Sequence, residues 1–168
     1  MDTLSNIYKW NYGFICLLAL LLELIWVLLK LKCSKRLFKG INITVLVFAL
    51  YAIMFCTVLF RESSSERIYC FAVEYNDEFC REMIMNAVLY FPLGLSLTSL
   101  VGPLSFGFVF GCSFFVEIWQ YCVGTGLAQG TDVIMNTLGC VIGGIPWFVN
   151  RAIEKRKGKE DNVRGSNI

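Results

Sequence analysis

The chain is 168 residues long, 57% hydrophobic and only 17% charged, with a mean hydropathy of +0.62; these values exclude a water-soluble globular domain and place it among membrane proteins. Its net charge of +2 arises from basic residues in two blocks that flank apolar segments, without the aromatic interleaving of a nucleic-acid surface, so nucleic acid is excluded as a partner. Histidine is absent and the eight cysteines form no CxxC pair, which removes the common zinc arrangements and every His-activated nucleophile; no metal or cofactor is expected.

In chain order, residues 1–10 read as a short extracytoplasmic N-terminus. The apolar run that follows, 11–31, is too long for a signal-peptide core and has no small-x-small cleavage site behind it, so it is expected to remain as an anchor. Further apolar runs cover 41–60, 83–101, 104–123 and 131–150, each near the ~20 residues that a helix needs to cross hydrocarbon. Unpaired backbone groups are not tolerated there and the runs lack the alternation of outer-membrane strands, so the expected fold is an all-α bundle of about five transmembrane helices over 11–150.

Two basic blocks set the orientation. Lys30, Lys32, Lys35, Arg36 and Lys39 join the first two spans, and Arg151, Lys155, Arg156, Lys157 and Lys159 follow the last; both should be cytoplasmic, with the N-terminus outside and the C-terminus inside. The connection 61–82 then faces outward with six acidic residues and three arginines. It holds Cys70 and Cys80, which are either a disulfide in an oxidising exterior or two free thiols. Residues 151–168 read as a frayed cytoplasmic tail docking on anionic headgroups. On the first span Glu23 lies near mid-membrane above Trp26, either as a second buried acid or as a protonated, hydrogen-bonded one.

The polar residues inside the spans fall on stripes. Ser113, Glu117 and Gln120 share one face of the fourth helix, Asp132, Asn136, Gly139 and Gly143 one face of the fifth, and Glu82, Asn86 and Tyr90 one face of the third. With the fourth helix running outward and its neighbours inward, Glu117 lies about 9 Å below its outer end and Asn86 and Asn136 about 5 to 8 Å below theirs. Arg61, Glu82, Gln120 and Asp132 form a rim above that layer, so three helices build a polar cup that opens outward. An ionisable group in hydrocarbon costs at least about 2.5 kcal/mol, which turns the stripes toward protein or water. Gly139 and Gly143 form GxxxG and permit a close helix approach below the cup. Pro92 frees a carbonyl near Val88 and is expected to kink the third helix beside Asn86. Amides such as these also serve simply as interhelical glue, a reading that remains open for each one singly.

The stretches NAVLYFPLG (Asn86 to Gly94), VEIWQ (Glu117 and Gln120) and DVIMNTLG (Asp132, Asn136, Gly139) resemble, in order, the signature stretches of the VanZ-like family, over roughly residues 55–150. The resemblance implies a small multi-span protein of the bacterial cytoplasmic membrane; the family is named for a member that confers low-level resistance to the lipoglycopeptide teicoplanin. Members commonly carry an arginine and several acids before the Asn-Thr-Leu-Gly stretch. Here TGLAQGTD leaves only Asp132, with Gln129 and Thr131 where acids are usual, too few oxygen anions for a hard cation.

Three functions fit these residues. A binding or modulating protein would use the cup, under an aromatic rim of Phe115, Trp119 and Tyr121, to hold a membrane lipid, a lipid-linked cell-wall precursor or the tail of a lipoglycopeptide. A membrane-embedded enzyme would use Glu117 or Asp132 as general acid or base, with Gln120 and Asn136 as oxyanion donors and Arg61 facing a phosphate. Proton-coupled transport through Glu117 and Glu23 is the least economical, because five spans without a repeat do not form an alternating-access pair.

Overall fold

The computed structural model describes residues 12–59, 69–71, 77–124 and 128–165. Its elements are α1 (Tyr12–Lys32), α2 (Lys35–Met54) continuing into a π-helical segment (Phe55–Leu59), β1 (Tyr69–Cys70), α3 (Asp77–Val101), α4 (Leu104–Val123), β2 (Ala128–Gln129), α5 (Gly130–Gly143) and α6 (Ile145–Gly165). Among the described residues, four helical stretches are long and apolar enough to cross a membrane: 35–57, 79–101, 104–123 and 130–158. Together with the exposure of large side chains such as Phe48, Leu104 and Phe115 around the bundle, they define a multi-pass membrane protein, since a soluble surface does not carry so extensive an apolar face.

Element boundaries follow local chemistry. Ser34 caps α2, its hydroxyl accepting from the Leu37 N–H at 3.3 Å, so this helix begins before the apolar run does. The α3–α4 turn passes through Gly102 at φ 67, and α4 ends at Gly124 at φ 74, both in the left-handed region that glycine enters without strain. Pro92 lies inside α3, which remains one helix from Asp77 to Val101. The last span differs from the single helix expected over 131–150: Gly144 ends α5, and α6 then runs on to Gly165, so the tail expected to fray is helical for most of its length.

Lys30 at the end of α1 pairs with Glu154 on α6 at 3.4 Å. That contact places the two basic blocks at the same end of the bundle. Nearby, Trp26 packs edge-on to Phe38 at 5.4 Å and donates to the Ser99 hydroxyl at 3.2 Å, while Asn42 donates to the Ser96 carbonyl at 3.2 Å. The apolar core above these joins α2, α3, α4 and α5 through Ala49, Ile53, Tyr90, Leu93, Val109 and Cys140.

The closest helix pair is α3 with α5. A methyl group built on Gly139 would enter the Ala87 backbone, one on Gly143 the Phe91 carbonyl, and one on Gly94 the Cys140 carbonyl. The glycines interlock from both sides, so the two backbones touch without side chains between them, the arrangement small residues permit in lipid. Replacing Gly139 by Ala is expected to cost about 1–3 kcal/mol, because the contact is rigid backbone that cannot yield. The Gly107→Ala variant, where nothing lies within 4 Å, should melt like the parent protein in detergent. Equal melting of the two variants would contradict this packing.

Candidate functional site

Helix α4 carries the site. Its buried residues are Ser105, Val109, Ser113, Glu117 and Gln120, successive positions of one face, and all but Val109 are polar. The opposite face presents Phe108, Phe110, Phe114, Phe115 and Trp119 to the outside. The helix is thus polar inward and apolar outward, as lipid solvation requires.

Each polar residue of the stripe meets a different element. The Asn136 side chain of α5 donates to the Ser113 hydroxyl at 2.8 Å. From α3, the buried Tyr90 phenol approaches Ser113, with the Glu117 and Asp132 carboxylates close enough to act on it. Gln120 donates through Nε2 to the Thr57 carbonyl at 3.1 Å; Thr57 sits in the π-helical segment ending α2, where the widened helix turn alters the usual carbonyl pairing. Glu117 accepts from the backbone N–H of Gln129 through Oε2 at 2.9 Å. This last bond satisfies a buried donor just ahead of α5, and a carboxylate is the strongest acceptor available for it.

The α2–α3 and α4–α5 connections close over this layer. β1 and β2 pair in parallel, Tyr69 with Ala128 and Cys70 with Gln129, and the Thr131 N–H donates to the Phe71 carbonyl at 3.1 Å. Gly130 packs so closely on the Phe71 ring that a methyl group there would lie 2.7 Å from Cδ2. Beside this clasp, a cavity of about 570 Å³ opens between α4 and α5, walled by Phe71, Phe110, Phe114 and Tyr121 and reaching Glu117 and Gln129. Its size lies within the range of small-molecule sites.

The structure brings Glu117, Gln120, Asp132 and Asn136 together, each less than a tenth exposed. Asn86 is half-buried and Glu82 is exposed; on α3 it is Tyr90 that meets the stripe. Arg61 lies outside the described residues, as does the side chain of Cys70, while Cys80 is a free thiol. Gly94, Gly139 and Gly143 lie in the α3–α5 packing rather than at the site, and Pro92 lies within α3. Sequence reasoning missed Thr57 and the backbone of Gln129, which act through main-chain groups, and Phe71 and Gly130, which pack together beside the cavity. The signal for Gln129 was the helix start at Gly130, whose preceding N–H needs an acceptor when buried.

Among the described residues no three His, Cys, Asp or Glu side chains converge, so the chemistry of this layer is that of carboxylates, amides and a phenol under an aromatic wall. A multi-pass membrane protein with a polar layer held between three helices at one end is the class these features define. The chain belongs to the VanZ/LLP1 family, whose sequence model matches residues 14–150, extending the likeness back through α2 into α1 beyond the three signature stretches. No curated protein and no solved structure shows a significant match.

If the Glu117 carboxylate anchors the α4–α5 loop, Glu117→Ala should speed hydrogen exchange at the Gln129 amide by about 10- to 100-fold, the worth of one bond to a charged group. Glu117→Gln keeps an acceptor of similar reach and should stay within a few-fold of the parent. Unchanged exchange in both would show that the bond holds nothing.

Proposed function

We propose that this protein binds an amphiphile of the bacterial cell envelope in the cavity between α4 and α5, in the cytoplasmic membrane, with that cavity opening outward and both basic blocks inside. The ligand class is a membrane lipid, a lipid-linked cell-wall precursor or a lipoglycopeptide tail, and the effect is to modulate envelope chemistry, as family membership suggests. One observation carries this reading: a cavity of about 570 Å³ with aromatic walls whose lining includes the buried Glu117 and Gln129. A mostly apolar slot with two polar residues in its lining suits a molecule with a tail and a head.

Binding is favoured over catalysis by the engagement of Glu117. Its Oε2 already accepts the Gln129 N–H, so the carboxylate serves as an anchor for the loop rather than as a base held ready for a substrate proton. Orientation follows from the basic blocks gathered at one end. The first helix, α1, is taken as the fifth span alongside the four others.

Ile134 lines the cavity and is half exposed, so Ile134→Trp should fill it without disturbing the core. Binding of a lipid-linked precursor or of teicoplanin to protein in nanodiscs should weaken about tenfold or more, the effect of overpacking by ~1–3 kcal/mol, at unchanged melting temperature. Undiminished binding would overturn the assignment. For orientation, in a background without native cysteines, a membrane-impermeant maleimide should label Asp77→Cys on intact cells and spare Lys35→Cys. The reverse pattern would place the cavity on the cytoplasmic side.

A further inference from the structure

We infer that the ends of α2, α1 and α6 form one cationic arc that binds anionic phospholipid headgroups of the leaflet at that end. The arc lies at the opposite end of the bundle from Glu117 and Gln129 and stands independently of the cavity. Residues 30–39 and 151–168 hold eleven lysines and arginines against three acids, in a chain whose net charge is only +2. Folding gathers them. α1 packs against both α2 and α6, and the Lys30–Glu154 pair at 3.4 Å fixes the end of α1 beside α6. The sequence alone assigns headgroup contact to the tail; the structure adds the α1–α2 turn, so the two blocks act as one surface. Three neighbouring helix ends span roughly 16–20 Å at the usual interaxial distances, room for several phosphates.

Most of these cations have no counter-charge. Lys35, Arg36 and Lys39 on α2 and Lys155, Arg156 and Lys157 on α6 are exposed, and among the described residues none of the six is in an ion pair. Glu154 is already taken by Lys30, and residues 30–39 hold no acid at all. The first turn of α2 carries Lys35 and Arg36 and no acid, although the positive end of a helix dipole favours anions. Like charge at that position costs local stability, and an anion from outside relieves it.

What selects a membrane rather than a nucleic acid or an acidic protein is the hydrocarbon beside the charge. Leu37, 56% exposed, stands between Arg36 and Lys39, and Phe148, 45% exposed, lies about one turn before Arg151. The Arg151 guanidinium lies over the Trp147 ring at 4.9 Å, and Trp147 packs on the α3–α4 turn at Gly102. Exposed apolar side chains next to cations fit a surface that offers hydrocarbon and phosphate side by side, which a bilayer does.

The test is lipid competition on the full-length protein in nanodiscs of mixed phosphatidylglycerol and phosphatidylcholine with identical chains, read by native mass spectrometry as lipid retained per protein. The variants are Lys35→Gln/Arg36→Gln/Lys39→Gln, Lys155→Gln/Arg156→Gln/Lys157→Gln and, as an exposed cation at the other end of α3, Arg81→Gln. The parent should retain phosphatidylglycerol over phosphatidylcholine by about tenfold or more, since each cation near an anionic surface contributes about fivefold. Either triple variant should reduce that preference to a few-fold, and Arg81→Gln should keep it. Because a charge variant can fail to fold, the parent alone supplies a second reading. Phosphatidylglycerol in place of phosphatidylcholine should raise its melting temperature in dilute salt, and most of that rise should vanish at 1 M salt, where charges are screened beyond about 3 Å. Equal retention of the two lipids by the parent, a preference that survives both triple variants, an equal loss in Arg81→Gln, or a rise in melting temperature that 1 M salt leaves intact overturns the inference. A double-stranded oligonucleotide held by the parent where phosphatidylglycerol is not would overturn it too, and would assign the arc to a polyanion in solution.

Discussion

The backbone contact between α3 and α5 is the constraint on which the rest of the structure depends. Gly139 and Gly143 on one helix and Gly94 on the other bring main chain against main chain, and in lipid such close packing supplies the attraction that the hydrophobic effect supplies in water. Because the two axes are close, Tyr90 of α3 and Asn136 of α5 reach the same face of α4. A larger residue at position 139 would part the helices and leave the polar face of α4 against hydrocarbon. The stripe Ser113, Glu117 and Gln120 is therefore stable only where the glycines allow it to be covered.

The end of the bundle opposite the basic blocks is closed by main-chain chemistry. Two short strands, the Thr131 N–H on the Phe71 carbonyl and the Gln129 N–H on Glu117 tie the α2–α3 connection to the α4–α5 loop. The aromatic ring of Phe71, laid on Gly130, becomes part of a cavity wall. A carboxylate that costs free energy to bury thus stabilises a loop that would otherwise leave a buried donor unpaired. The same bond explains why a strongly apolar chain keeps an acid at position 117.

Much of this was legible in the sequence because membrane solvation imposes simple rules. Twenty-residue apolar runs, the two basic blocks and the inward turn of the polar stripes follow from hydropathy and helical spacing, and Glu117, Gln120, Asp132 and Asn136 do lie buried together. The break at Gly144 and the helical course of α6 were not legible, since the residues past 150 are polar and hydropathy reads only the bilayer. Asn86 and Tyr90 share a stripe, and periodicity alone does not tell that it is Tyr90 that meets Ser113 of α4. The Thr57 carbonyl, the Phe71 carbonyl and the Gln129 N–H are backbone groups, which every residue type carries, so no side-chain pattern marks these contacts. The π-helical segment that places the Thr57 carbonyl is likewise a tertiary outcome.

We propose above that the cavity between α4 and α5 holds the head of an envelope amphiphile against Glu117 and Gln129. A density map of the protein in nanodiscs of native envelope lipid, at a resolution that separates headgroups, tests it most directly. The account predicts a tail lying along Phe110 and Phe114 with its polar end at the Glu117 carboxylate and the Gln129 amide. A cavity closed by the protein's own side chains, or a tail whose head lies away from both residues, would contradict it.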